Sequence, residues 1–535
     1  MKGAAALAAA VATLLLALAG SAQAQELKRP DSLERPPSLF QRTGNDVIEI
    51  AKRGDGIRAE VAKHPTARPE VFTKGAARWQ VSWFTSKPRK EIAQVAIDDR
   101  SGAILEAWTG YKVAWTMARG YDGAFGRKVN APYVWIPLLL AFIVPFIDPR
   151  RPLRWLHLDV LVLAAFSASY AFFNAGEIDT SVPIAAPLLA YLLARMLVIG
   201  LRRRREAWTP PPLIVPTSWL AIGIVFLVGF RIGLNVTDSN VIDVGYSGVI
   251  GADRLADGDP LYGNWPKDNE HGDTYGPAAY ATYLPFEQIF PWKGVWDDLP
   301  AAHGAAIVFD LLTLLAVFLL GRRVGGSKLG IVTAYAWAAY PFTLFALNTN
   351  SNDSLVTLLI VVALLVASSP VARGAVTALG ALAKFAPAAL APVLATYGLA
   401  GRPWREQARR LALFVVTFAA VAGAILWLTV DDLGLMWDRT VGFQADRDAP
   451  FSIWGLYDLD VLQTISRAGA VILALALAVV PRRQDLAGLA ALCAAVLIAS
   501  QLSTTYWFYL YLVWFFPLVM LAVLAPRPPW RPSTA

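Results

Sequence analysis

Between Arg231 and Glu287 runs the stretch RIGLNVTDSNVIDVGYSGVIGADRLADGDPLYGNWPKDNEHGDTYGPAAYATYLPFE, rich in aspartate, aromatic residues and glycine. It is acidic in a chain whose formal net charge is +8. A connection of this length without evident regular structure is either functional or disordered, and its aromatics set it apart from a low-complexity linker. A loop carboxylate can take a proton from an attacking hydroxyl as a general base, and this stretch is expected to hold a catalytic one. Two more polar segments accompany it, Asn348–Ser354 (NTNSNDS) and Trp437–Gly455 (WDRTVGFQADRDAPFSIWG). Other chemistries lack their residues. There is no GxxxxGK[ST] cradle and no strand-borne GxGxxG, so use of cytoplasmic ATP is not expected. HExxH and paired-histidine spacings are also missing, the four histidines being scattered. The single cysteine, Cys493, excludes an intramolecular disulfide and a cysteine metal cluster.

The elements that must position these residues are membrane helices. Of the 535 residues 56% are hydrophobic and 16% charged, against about 25% charged in soluble domains. Apolar runs of spanning length predict about eleven transmembrane helices, from Pro132–Ile147 to Trp507–Leu524. Basic clusters (Asp148–Arg154, Arg202–Arg205, Gly321–Lys328, Ala372–Gly374, Gly401–Arg410, Pro481–Arg483, Arg527–Arg531) alternate with acidic or neutral loops. With the N-terminal region outside, every basic cluster falls in the cytoplasm and the acidic stretch outside. Ala375–Ala400 has basic loops on both sides and is too short to cross twice. It is expected to form a re-entrant hairpin turning outward at Lys384–Pro387, or else to be an ordinary span beside a misassigned neighbour. Arg231 and Asp310 fall within spans, where charge is costly; either they pair with each other or Asp310 holds Lys384.

Residues 1–24 read as a secretory signal peptide, with Lys2, an apolar Ala4–Leu18 and a small-x-small site at Ala22–Ala24; an uncleaved first helix is the alternative. Residues 25–130 follow as a water-facing α+β unit, with a helix over Val47–Val61 and strands over Ala77–Phe84, Glu91–Asp99 and Ala103–Trp108. The hairpin VAIDDRSGAILEAW resembles the PepSY module. His64, beside a proline, is expected to be solvated. The remaining divisions are accessory helices over 131–205, a transmembrane catalytic domain over 206–526 and a cytoplasmic tail over 527–535.

From "DVGYSGVIGADRLADGDPLY" onward, the pieces "TYGPAAYATYLPFE", "NSNDSLVTLL", "ALAKFAPAALAP" and "FQADRDAPFSIWG" stand in an order similar to that of GT-C glycosyltransferases, in their bacterial α-mannosyltransferase-like branch. The resemblance spans roughly residues 215–525 and implies an all-α polytopic fold. It further implies transfer of a mannose-like hexose or a pentose from a polyprenyl-phosphate donor to a cell-envelope glycan or lipid at the outer face, with inversion. By the family pattern Asp243 is the base and Asp238 the second choice. The lipid phosphate would meet Lys384 and Arg447, with Arg439 behind them. Gln444, Asn352, Asp353 and Tyr275 complete the expected substrate-binding set. No cofactor beyond the donor and no nucleic-acid partner is expected, and a divalent metal stays open. Each residue has a plainer role. Asp243 could cap a loop, Asp253, Asp257 and Asp259 belong to turn chemistry, Asn352–Asp353 could cap the next helix, and Arg447 could be a rim charge. Tyr506, Trp507 and Tyr509 are expected in an interfacial belt. The rival functions are a flippase for lipid-linked sugars and an envelope regulator with a PepSY-like sensor.

Overall fold

A computed structural model of the chain describes residues 27–75, 77–87, 89–120, 123–202, 213–447, 449–480 and 483–526. The proposed signal peptide, the C-terminal tail and part of the Arg202–Arg205 cluster lie outside the described residues.

The N-terminal unit is an antiparallel sheet in chain order: β1 (Leu27–Lys28), β2 (Arg68–Lys74), β3 (Arg78–Phe84), β4 (Glu91–Asp98) and β5 (Ile104–Thr109). Alternation in β3 and β4 turns Trp79, Val81, Trp83, Val95 and Ile97 into one core with Val47, Ala51 and Ile57. Each such large side chain gains about 2–3 kcal/mol on burial. The expected single helix is two, Gly44–Ala51 and Ile57–Lys63, because Gly56 at φ +74° breaks the turn between them. The first opens with a capping box, Thr43 and Asp46 bonding each other's backbone. Strand β2 escaped the sequence reading because it sends only Val71 into the core and otherwise reads as proline, charged and polar residues without alternation. His64 is part-exposed beside Glu60.

Among the described residues, six helices are long and apolar enough to cross a membrane: Trp155–Asn174, Ile178–Leu201, Thr217–Thr237, Pro300–Ala339, Trp404–Thr429 and Asp460–Val479. Shorter apolar helices, including Pro132–Ile143, Asp353–Leu365, Pro370–Ala383, Leu486–Leu502 and Leu512–Leu524, pack among them. The protein is thus a multi-helix membrane protein. Pro300–Ala339 is two helices folded back on one another. Gly325 and Gly326 leave helical geometry, Gly326 at φ +77°, and Thr333 Oγ1 donates to Val317 O at 3.3 Å across the hairpin. The basic GRRVGGSK loop is therefore a glycine turn with extended helical flanks.

Two polar locks hold the bundle. Arg231, 1% exposed, donates through Nε to Asp310 Oδ2 at 3.1 Å and through Nη2 to Oδ1 at 2.5 Å. Trp337 Nε1 donates to the same Asp310 Oδ1. So Arg231 and Asp310 pair with each other, and Asp310 does not hold Lys384. The second lock is Tyr509, whose hydroxyl lies 2.7 Å from Ser169 Oγ and 2.6 Å from Ser181 Oγ. Tyr509 is buried among Tyr170, Phe173 and Phe342, and Trp507 is buried against Phe166 and Tyr509. They are core residues and form no interfacial belt.

Candidate active site

The acidic stretch contains a helix the sequence reading did not anticipate, Asp243–Asp257, amphipathic and ended by Gly258 at φ +75°. Its glycines made it look irregular, but they let it pack closely. A Cβ on Gly245 would lie 2.2 Å from Asn350 O, and one on Gly251 would meet Tyr280. Ile242 N–H donates to Thr349 O at 3.1 Å, tying the helix start to the NTNSNDS turn. Asp243 opens the helix, where backbone N–H groups and the helix dipole favour a carboxylate.

Asp243 lines a cavity of about 260 Å³ together with Tyr275, Asp353, Lys384, Gln444 and Arg447. Water can reach its carboxyl from the cavity side, but dense protein surrounds the cavity. Burial pushes its pKa up from the ordinary carboxylate value, while the charges of Arg447 and Lys384 pull it down. The Tyr506 hydroxyl is pushed up to about 12, mainly by burial.

Lys384 follows the helix Pro370–Ala383 in extended conformation, before the 3-10 turn Ala386–Leu390 and the short helix Ala391–Ala395. The chain thus breaks at the expected hairpin tip. Lys384 Nζ donates to Asp353 Oδ1 at 2.8 Å and lies 4.9 Å over Trp514 and 5.3 Å over Tyr511. Asp353 also accepts from Trp514 Nε1 at 2.8 Å and Ser351 Oγ at 2.8 Å. Asp353 therefore anchors the lysine and is no mere helix cap. Arg447 stacks on Tyr506, its Cζ 3.5 Å from the ring centroid.

The loop carrying Thr274 and Tyr275 is pressed onto the end of the Lys384 helix, since a Cβ on Gly276 would lie 1.9 Å from Leu382 O. Tyr275 is thereby held 5.7 Å from Lys384 Nζ. The N-terminal segment contributes too: Phe125 lines the cavity, and Met117 Sδ lies 3.9 Å from the Tyr506 hydroxyl.

Three expected site residues lie elsewhere. Asp238 is ion-paired with Lys128 at 2.8 Å and does not line the cavity; its place at the end of helix Thr217–Thr237 turns it toward the N-terminal linker. Asn352 is buried behind the cavity wall. Arg439, in the π-helical turn Asp438–Gly442, lines a neighbouring cavity instead, where its ion pair with Asp273 holds it. Tyr506, Tyr511, Trp514 and Gln501 line the cavity without having been picked out. Tyr506 was expected at the bilayer interface and instead faces Arg447. Among the described residues no group of three or more His, Cys, Asp or Glu side chains converges as a metal site would.

Residues 274–505 match the family model of glycosyltransferase family 87. The match includes Tyr275, Asp353, Lys384, Gln444 and Arg447 and begins after Asp243. No curated protein matches the chain. A solved structure, ArnT from Cupriavidus metallidurans bound to undecaprenyl phosphate, is similar at 18% identity with a TM-score of 0.39; the similarity covers 58% of this chain and 60% of that one. The family match supports a membrane glycosyltransferase, and it covers the segment that supplies Lys384, Arg447 and Tyr275 to the cavity, while Tyr506, Tyr511 and Trp514 lie just beyond its end.

Proposed function

We propose that this protein transfers a sugar, a mannose-like hexose or a pentose, from a polyprenyl-phosphate donor to a cell-envelope glycan or lipid at the outer membrane face, inverting the anomeric centre. The observation that supports this best is the meeting of Asp243, Lys384 and Arg447 in one cavity. In the proposed reaction Asp243 takes the proton of an acceptor hydroxyl while that oxygen bonds to the anomeric carbon. The bond from that carbon to the phosphate oxygen breaks, and its electron pair leaves with the polyprenyl phosphate. Arg447 offers a planar fork to the departing phosphate, and Lys384 a point charge already oriented by Asp353. Tyr275, Tyr506, Tyr511 and Trp514 wall the site with aromatic surface, and the lower local dielectric beside it strengthens each of these charge interactions.

The test is transfer by purified full-length protein in lipid nanodiscs, with polyprenyl-phosphate mannose or pentose as donor and envelope lipid extract as acceptor. Wild-type turnover is expected, and a fall of at least about 100-fold in Asp243→Asn. Undiminished transfer by that variant would overturn the role of Asp243.

A further inference from the structure

Beside the cavity of Asp243 lies a second one of about 440 Å³, within the roughly 300–1,000 Å³ range of small-molecule sites. Thr274 and Arg447 line both cavities. The second is built around Asp273, which is fully buried. One carboxylate oxygen, Oδ2, is committed, accepting from Gly263 N–H at 2.8 Å and lying 3.5 Å from Arg439 Nε. The other, Oδ1, has no hydrogen-bond partner among the described residues. A buried carboxylate oxygen left without a donor costs about 1–3 kcal/mol or more, so such groups are normally met by a ligand or water. Opposite stand the rings of Phe443 and His271, 5.0 Å apart and stacked.

We propose that this cavity binds a sugar ring of the acceptor, with Asp273 Oδ1 accepting from one of its hydroxyls and the face of Phe443 packing on its C–H groups. The local charge selects the class. The lining charges balance, Arg439 and Arg447 against Asp273 and Asp438, so a metal cation meets two guanidinium groups and an anion meets two carboxylates. A neutral group with O–H donors and an apolar face remains. Through the shared wall of Thr274 and Arg447, a ring held here presents a neighbouring hydroxyl toward the cavity of Asp243. This assignment rests on the glycosyltransferase proposal above for the identity of the ligand as acceptor.

Binding tests it without turnover. Thermal unfolding of the full-length protein in nanodiscs would be followed with methyl glycosides of glucose, galactose, mannose and arabinose as probes. At least one should stabilise the wild type, with the half-saturating concentration rising about tenfold in Asp273→Asn. Phe443→Ala should weaken the same probe, and neither change should alter stabilisation by polyprenyl-phosphate mannose. Asp273→Asn also loses its contacts to Gly263 and Arg439; if it does not fold, Phe443→Ala, at a half-buried position, carries the comparison. Absence of stabilisation of the wild type by all four glycosides overturns the proposal. So does a loss in these variants confined to the polyprenyl donor. A wild type that binds a glycoside but transfers no sugar from any donor would instead overturn the glycosyltransferase reading and leave the subsite standing.

Discussion

The cavity concentrates opposite charges at short range, and its behaviour with pH follows from that. Asp243 must be deprotonated to act as a base, and burial raises its pKa. Activity should therefore fall as pH drops through a value above the ordinary ~3.9 of aspartate, and level off above it. Arg447 opposes this shift, so Arg447→Gln should move the acid limb of kcat/KM to higher pH while lowering its plateau. A limb that stays in place in Arg447→Gln would show that the titrating group is not Asp243. Lys384 should be separable from Asp353. Lys384→Met leaves Asp353 its bonds from Trp514 and Ser351 and is expected to fold, with kcat/KM reduced about 100-fold. Arg447→Lys keeps the charge but loses the planar fork, and a loss of about tenfold is expected. Steady-state kinetics with separate variation of donor and acceptor measures both.

At the scale of elements, the site exists because loops are pressed against helix ends. Gly276 allows the Tyr275 loop to touch the Leu382 carbonyl. Gly276→Ala puts a methyl group 1.9 Å from that oxygen, and backbone cannot yield as a flexible side chain would. The loop must move, and a misplacement of about 1 Å can cost ~100-fold in rate. Activity should drop by that order while the melting temperature falls by only a few degrees; an unchanged rate would mean that Tyr275 does not need this placement. The N-terminal unit joins the site in the same manner, through Phe125 and Met117. The acidic segment shows where local signals run out. Its glycines at 245, 248 and 251 suggest a loop from propensity alone. Tertiary packing reverses that preference, because those positions sit against Asn350, Tyr283 and Tyr280, where any side chain would collide.

For the whole molecule, the Arg231–Asp310 pair joins helix Thr217–Thr237 to both halves of the Pro300–Ala339 hairpin, through Asp310, Ala338 O at 3.1 Å and Trp337. Removing one partner of a buried pair leaves an uncompensated charge and costs about 3–5 kcal/mol. Asp310→Asn should lower resistance to denaturant unfolding by that order, and Arg231→Met combined with it should recover part of the loss. Equal stability of Asp310→Asn and wild type would remove the pair from the account of what holds the bundle. Much of this architecture was legible in the residues themselves. Apolar runs mark membrane helices because hydrocarbon tolerates no unpaired backbone, alternation marks β3 and β4, and rare charges within spans mark functional or paired positions. The break at Lys384 was visible from charge and length, because Ala375–Ala400 has basic loops on both sides and is too short to cross twice.

Other features became visible only when the chain was folded. Tyr506 has one composition whether it faces lipid or Arg447, so nothing local separates an interfacial tyrosine from a cavity wall. Asp353 is equally a helix cap or the anchor of a lysine 31 residues away. Asp238 and Asp243 stand five residues apart in one acidic run, yet one meets Lys128 and the other the cavity. Asp273 looked like one more loop aspartate until packing removed its solvent and left one oxygen unmatched. By itself, then, the sequence determined that the chain is a helical membrane protein with an acidic segment suited to base chemistry, because solvation and periodicity act residue by residue. Which carboxylate faces which cation was decided by tertiary structure alone, since charge, burial and distance belong to pairs that the fold brings together.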